Sequence, residues 1–143
     1  MVSYYLTKDY NLECVVVDPR GTSFPKKISK QISLFNLEIK EIRKEFNTDF
    51  DQSYIEKSSL IIGMHPDEVT MEIVRTAKKY NKSFAVVPCC VFPYKFPDRF
   101  LSDGSFVLEY NDLIKYIQET VEGSQIEFLN IEGKNKVIYK KYS

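Results

Sequence analysis

The chain has 143 residues, of which 43% are hydrophobic, and its 20 basic and 20 acidic side chains cancel to a formal net charge of zero. This length predicts a single domain, residues 1–143, with its own hydrophobic core. The charge balance excludes the strong overall positive field of a protein that is wrapped by nucleic acid, but it leaves room for a local basic patch. No apolar run reaches the ~20 residues that span a bilayer, and three cysteines do not make a disulfide framework. We therefore expect an intracellular, cytoplasmic protein without membrane contact.

The first part of the chain alternates predicted helices and strands. Apolar spacing predicts helix, strand and helix at Val2–Tyr10, Leu12–Val17 and Pro25–Phe35. The spacing of residues 37–46 fits either a helix or a strand, and the alternating element order favours a strand at Glu38–Arg43. The strand before Asp18 ends in an Asp-Pro-Arg-Gly turn, which places this carboxylate at the carboxyl end of a strand. An acidic connection that contains Asp49 follows, with a turn of helix expected near Tyr54.

A βαβ unit forms the centre of the sequence. Leu60–Met64 and Phe84–Val87 are short apolar runs, typical of parallel strands that are covered on both faces. Apolar residues between them, from Val69 to Ala77, recur at helical spacing. Ligands of such sheets collect at the carboxyl ends of the strands. Those ends are His65-Pro-Asp-Glu68 and Pro88-Cys-Cys90.

The rest of the chain predicts a loop, a helix and a hairpin. Residues 91–100 are aromatic and twice interrupted by proline, as in many binding loops. A helix is expected to begin at Asn111 or Tyr110 and to stop at Gly123. Gln125–Ile131 and Lys136–Tyr142 then flank a turn around Gly133, which predicts an antiparallel hairpin.

This element order resembles the α/β, three-layer Rossmann-like fold of S-adenosylmethionine-dependent methyltransferases. The resemblance includes the strand that ends at Asp18, the strand end Gly63-Met-His-Pro-Asp67 and the terminal hairpin. Residues 59–92 are also similar to a eukaryotic methyltransferase-like subgroup and, more distantly, to tRNA 2′-O-methyltransferase-related proteins in which a strand ends in Cys-Cys. The resemblance implies a mostly parallel sheet with a C-terminal antiparallel hairpin, S-adenosylmethionine as cofactor and RNA as substrate.

The chain departs from that family at the glycine-rich turn that holds the methionine part of the cofactor. It has five glycines, and no two of them lie close together. If Asp18 closes the second strand of the family, the first strand is missing and the domain is N-terminally truncated. We then expect impaired cofactor binding. The strands on either side of the missing one would pair with each other, or another protomer would complete the edge in a homodimer.

Four polar residues are candidates for cofactor binding and catalysis. By the resemblance, Asp18 would bind the ribose hydroxyls of the cofactor and Asp49 would lie near its adenine; the alternatives are a turn residue and a solvated loop. His65 could act as a general base, with Asp67 beside it. Alternatively, His65 is a loop residue, and Asp67 complements the dipole of the following helix.

The remaining candidates concern the substrate. Cys89 and Cys90 could be buried small apolar residues, could shape the substrate pocket, or could act as a nucleophile or metal pair. A zinc site needs about four ligands, so no metal site is expected. In the aromatic loop, Tyr94 could stack on RNA bases and Arg99 could contact phosphates, or the loop could pack onto the core.

Three functions follow from these candidates. The first is a methyltransferase-like protein that acts on RNA. The second is a non-catalytic interaction module built on a degenerate methyltransferase fold. The third is a different α/β enzyme that uses His65 and Cys90.

Overall fold

The computed structural model describes residues 1–142 and has a mixed α/β architecture. Its elements are α1 (Val2–Tyr10), β1 (Cys14–Val17), α2 (Lys26–Leu34), β2 (Ile39–Ile42), α3 (Gln52–Lys57), β3 (Leu60–Met64), a 3-10 turn (Asp67–Val69), α4 (Thr70–Tyr80), β4 (Ser83–Val87), α5 (Tyr110–Thr120), β5 (Gln125–Phe128) and β6 (Lys136–Lys140). This order confirms the predicted succession of helices and strands. Within residues 1–142, no helix combines the length and the apolar character that a membrane crossing requires.

The chain divides into two compact units, and the prediction of one domain stays a prediction. The first unit is Met1–Phe46. Its strands β1 and β2 pair in parallel, with Cys14 opposite Ile39 and Val17 opposite Ile42. Tyr4 of α1 is only 1% exposed, and its hydroxyl donates a hydrogen bond to the Gln31 side chain of α2. Helix α1 ends where Asn11 takes the left-handed conformation, with φ of 53°.

The second unit comprises the rest of the chain from Asn47 and contains a four-stranded sheet in the order β3-β4-β6-β5. Only β3 and β4 are parallel; β4 with β6 and β5 with β6 are antiparallel. The prediction of a mostly parallel sheet was therefore wrong. The short connection after β5 sends the chain straight back, and the returning strand β6 occupies the free edge of β4.

The core of the second unit lies between the helices α4 and α5 and the sheet. Its most deeply buried side chains are Met71, Val74, Ala77, Phe84, Val86, Leu113, Ile117 and Ile138. Helix α5 begins with a reciprocal cap, in which the backbone N–H of Glu109 donates to the Asp112 carboxylate at 3.0 Å and the Glu109 side chain accepts from the backbone of Asp112.

Strand β3 is buried on one face only. Leu60, Ile62 and Met64, which alternate along the strand, are 45%, 38% and 42% exposed. Gly63 faces helix α4, since a Cβ at that position would lie 2.6 Å from Cδ1 of Ile73. The prediction that both faces of this strand are covered was therefore wrong.

Candidate functional site

The parallel pairing of β3 and β4 brings two predicted strand ends together. Met64 lies opposite Val87, the last residue of β4. The next residue, His65, continues the ladder, because its backbone N–H donates to the carbonyl of Val87 at 2.9 Å. His65–Asp67 and Pro88–Cys90 therefore leave the sheet side by side.

The segment after β3 has an unusual backbone. His65 and Asp67 both have positive φ angles, of 47° and 53°. This conformation costs a non-glycine residue about 1–2 kcal/mol, so surrounding contacts must compensate. The Thr70 hydroxyl donates to the carbonyl of Asp67 at 2.9 Å, and Nε2 of His65 lies 3.1 Å from the carbonyl oxygen of Lys134. These contacts fix the backbone that carries the two predicted catalytic residues.

The contact of the exposed His65 ring with a backbone carbonyl indicates which ring nitrogen donates. A carbonyl oxygen can only accept, so the contact with Lys134 requires Nε2 of His65 to carry a proton and to donate it. In the neutral ring, the lone pair then lies on Nδ1. This atom is able to accept a proton from a bound hydroxyl group.

Asp67, Cys89 and Cys90 form a cluster beside this histidine. The Cys89 thiol donates to Oδ1 of Asp67 at 3.1 Å, and the ligand atoms of all three residues lie within 4.8 Å of one another. Burial, and next the hydrogen bond to Asp67, raise the pKa of the Cys89 thiol to about 12. A thiol that stays protonated at neutral pH is a poor nucleophile, which argues against the nucleophile interpretation. Cys90 is exposed, so the interpretation of both cysteines as buried apolar residues was wrong for Cys90.

A basic and aromatic cluster, which was not predicted from the sequence, adjoins the strand ends. The amino groups of Lys134 and Lys136 lie 4.3 and 5.6 Å from the ring centroid of Tyr110. Lys134 is also the residue whose carbonyl contacts His65. The two lysines in the Gly-Lys-Asn-Lys turn of the hairpin were the sequence signal for this cluster. Their aromatic partner, Tyr110, is distant in sequence, so the contact could not be predicted. The arrangement places two amino groups over an aromatic ring, in the hairpin whose Lys134 carbonyl contacts His65.

The aromatic loop, residues 91–100, is linked to the same strand end by an ion pair between Lys95 and Glu68. The Tyr94 side chain is 100% exposed, whereas Arg99 is only 8% exposed. The Arg99 guanidinium carbon lies 3.7 Å from the ring centroid of Phe96, and no carboxylate within residues 1–142 forms a salt bridge with Arg99. Burial, and then the charge of Arg75, lower the pKa of Arg99. Part of the loop therefore packs onto the core while Tyr94 projects from it.

Tyr94 and Arg99, two of the four predicted substrate residues, line one open cavity of about 380 Å³. Its walls include Pro93, Tyr94, Phe96, Arg99, Phe106 and Leu108. Phe106 and Leu108 are 53% and 58% exposed, so the cavity combines accessible apolar surface with one guanidinium group. Such a surface suits a flat, partly polar ring.

The two predicted cofactor residues lie in local turns. In the first unit, the Asp18 carboxylate accepts from the Arg20 backbone at 2.8 Å and from its guanidinium at 3.3 Å, and these hydrogen bonds lower the pKa of Asp18. In the second unit, Asp49 is exposed, and its backbone N–H donates to the Asn47 side chain at 2.9 Å. Both arrangements fit the turn interpretation, and the cofactor roles stay predictions.

Part of the chain is similar to a known protein. A protein of Caenorhabditis briggsae named probable tRNA (uracil-O(2)-)-methyltransferase is 40% identical to this chain over 65 residues. Those residues make up 46% of this chain, and they cover only 10% of the length of that protein. No protein-family model matches the chain, and no solved structure matches it. Over these 65 residues the chain is therefore similar to a small part of a protein named as a methyltransferase.

Proposed function

We propose that this chain is a Rossmann-like, methyltransferase-like protein that acts on RNA, and that the second unit carries its RNA-binding residues. The observation that supports the activity is the 40% identity, over 65 residues, with a protein named as a tRNA methyltransferase. The predicted βαβ unit and terminal hairpin, both of which the structure contains, are the elements on which the resemblance to the methyltransferase fold rests.

In this proposal His65 is the general base. Its neutral ring holds the lone pair on Nδ1, because Nε2 donates to the carbonyl of Lys134. The same hydrogen bond orients the ring, as a general base requires. A ribose hydroxyl that binds beside the strand ends would give its proton to Nδ1.

Tyr94 and the basic residues are the proposed RNA contacts. Tyr94 is fully exposed beside the cavity, and an aromatic ring in this position can stack on an unpaired base. Arg99 adds a cation to the cavity wall, and Lys134 and Lys136 add two more charges near His65. Arginine and lysine side chains provide phosphate contacts that do not depend on sequence.

The residues of this chain fit S-adenosylmethionine poorly. Gly21, which follows the strand end at Asp18, does not provide an open cradle, because a Cβ there would lie 2.8 Å from Arg43 and 2.9 Å from Glu41 side-chain atoms. The Asp18 carboxylate already accepts from Arg20. We therefore propose weak cofactor binding by this chain, and calorimetric titration with S-adenosylmethionine tests it. Tight, saturable binding would contradict this part of the proposal.

RNA affinity tests the substrate class. Tyr94→Ala should weaken the binding of single-stranded RNA by about 5- to 150-fold, since stacking contributes about 1–3 kcal/mol per base. Because Tyr94 is fully exposed, Tyr94→Ala should leave the midpoint of thermal unfolding unchanged. Tyr10→Ala is the matched control, because Tyr10 is 72% exposed but belongs to the first unit. Equal affinities of all three proteins would contradict the role of Tyr94.

One observation favours the alternative of an interaction module. Strand β3 pairs only with β4 among the described strands, and it exposes Leu60, Ile62 and Met64 on one face. An open, apolar edge strand can pair with another chain. Light scattering tests whether β3 pairs with another copy of the chain. A homodimer that Ile62→Lys converts to a monomer would support edge pairing. A monomer at all concentrations would contradict it.

A further inference from the structure

We propose that Asp67, Cys89 and Cys90 bind a thiophilic divalent cation of the zinc class. This inference is independent of the methyltransferase assignment, because it rests only on three side chains at the ends of β3 and β4. No metal site was expected from the sequence, in which Asp67 lies 22 residues before Cys89.

The fold brings the three ligands together without any long-range rearrangement. The parallel register places Met64 opposite Val87, so Asp67 and the two cysteines follow adjacent strand ends. Sγ of Cys89 and Oδ1 of Asp67 are 3.1 Å apart, and all three ligand atoms lie within 4.8 Å of one another. Bonds of about 2.3 Å to sulfur and about 2.0–2.2 Å to oxygen require ligand atoms roughly 3.5–4 Å apart in a tetrahedral site. The Cys90 side chain is exposed, so it can rotate and bring its Sγ atom to this distance from the other two ligand atoms.

The chemistry of the ligands selects the class of ion. Two thiolates are soft ligands, which favour Zn²⁺, Cd²⁺ and Co²⁺ over Mg²⁺ and Ca²⁺. Binding breaks two S–H bonds and forms two sulfur–metal bonds, and the two protons go to solvent. With the carboxylate, the three ligands carry three negative charges against the two positive charges of the ion. Three protein ligands leave a fourth tetrahedral position, which solvent would fill.

The site is accessible and chemically separate from the third cysteine of the chain. Asp67 and Cys90 are exposed and Cys89 is half-buried, so an ion can reach the cluster from solvent. Cys14 lies in strand β1 of the first unit and is not a member of the cluster. It therefore provides an internal control for thiols that do not bind.

Titration of the reduced, metal-free chain with Cd²⁺ tests the proposal. Thiolate-to-cadmium charge-transfer absorption reports sulfur coordination directly, and saturation at one equivalent is expected. Cys90→Ser removes an exposed thiol without opening a core cavity, and it should reduce the charge-transfer signal strongly. Asp67→Asn should weaken the affinity by about tenfold or more, since the loss of even a supporting contact of a metal site costs about that much. Cys14→Ser should bind like the unmodified chain.

Each result supports or overturns the site. Saturation at one equivalent in the unmodified chain and in Cys14→Ser, with loss in Cys90→Ser, supports it. The absence of charge-transfer absorption in the fully reduced chain overturns it, as does an unchanged titration of Cys90→Ser. Circular dichroism of Cys90→Ser and Asp67→Asn confirms that a lost signal reflects a lost ligand and not an unfolded chain.

Discussion

Replacing Gly63 with alanine tests the packing that positions the strand-end residues. The added Cβ would lie 2.6 Å from Cδ1 of Ile73 and 3.0 Å from Cγ of Pro66. Ile73 is only 5% exposed, so its terminal methyl group has little room to move. Overpacking of this kind costs about 1–3 kcal/mol. We expect Gly63→Ala to lower the free energy of unfolding by that amount.

A double-mutant cycle identifies the contact that causes the loss. Ile73→Val removes the Cδ1 methyl group and alone should cost about 0.5–1.5 kcal/mol. In the double variant the new Cβ of residue 63 meets no methyl group at that position, so the two losses should not add. We expect a favourable coupling of about 1 kcal/mol, with the Pro66 contact remaining.

Urea unfolding followed by circular dichroism gives the free energies, and the slope of the transition shows whether the variants unfold in the same manner. Two results would refute the reasoning. One is an unchanged or increased free energy of unfolding in Gly63→Ala. The other is strict additivity in the double variant, which would mean that Gly63 does not pack against Ile73.

Two further predictions concern the core and the pH dependence of the second unit. Ile117→Ala should lower the free energy of unfolding by about 2–5 kcal/mol, because this side chain is 0% exposed; a loss below 1 kcal/mol in urea unfolding would contradict the packing of α5. The pKa of Cys89 is raised from 9.0 to about 12 on folding. The contribution of its thiol to stability should therefore be complete below pH 9 and decline as the pH rises toward 12. Cys89→Ser should show a smaller decline over that range in thermal unfolding, and an identical decline would contradict the shift.

The sequence predicted the local elements well because their signals are local. Asn11 ends α1 in the left-handed conformation, as short polar residues at helix ends commonly do. The apolar run Leu60–Met64 was located to the residue. Its exposure was not predictable, since an apolar run specifies that a strand is favourable but not which faces the rest of the fold covers.

The pairing of the strands depends on non-local contacts, and this is where sequence reasoning failed. Nothing in the spacing of β5 and β6 indicates that β6 pairs with β4, the pairing that makes the sheet mainly antiparallel. The candidate site also depends on a non-local contact. The strand ends were predicted, whereas the contact of Asp67 with Cys89 needs the register of β3 and β4.

The burial of Arg99 could not be anticipated from its position in a loop. Its guanidinium packs over Phe96, three residues earlier, and the loop returns to the core at Leu101, which is 6% exposed. Aromatic residues near prolines are compatible with both packing and binding. In the structure Phe96 packs against Arg99, whereas Tyr94 of the same loop is fully exposed.

Photo-crosslinking of the chain to single-stranded RNA, followed by mass-spectrometric mapping of the linked residues, tests the central claim most directly. We expect crosslinks at Tyr94 in the aromatic loop and at Tyr110 beside Lys134, both in the second unit. A Tyr94→Phe variant that loses the first crosslink but binds RNA with unchanged affinity would neither support nor contradict the claim. The crosslinks of the unmodified chain are therefore the decisive result. Crosslinks confined to residues 1–46, or no crosslink at all, would contradict an RNA-binding surface at the ends of β3 and β4.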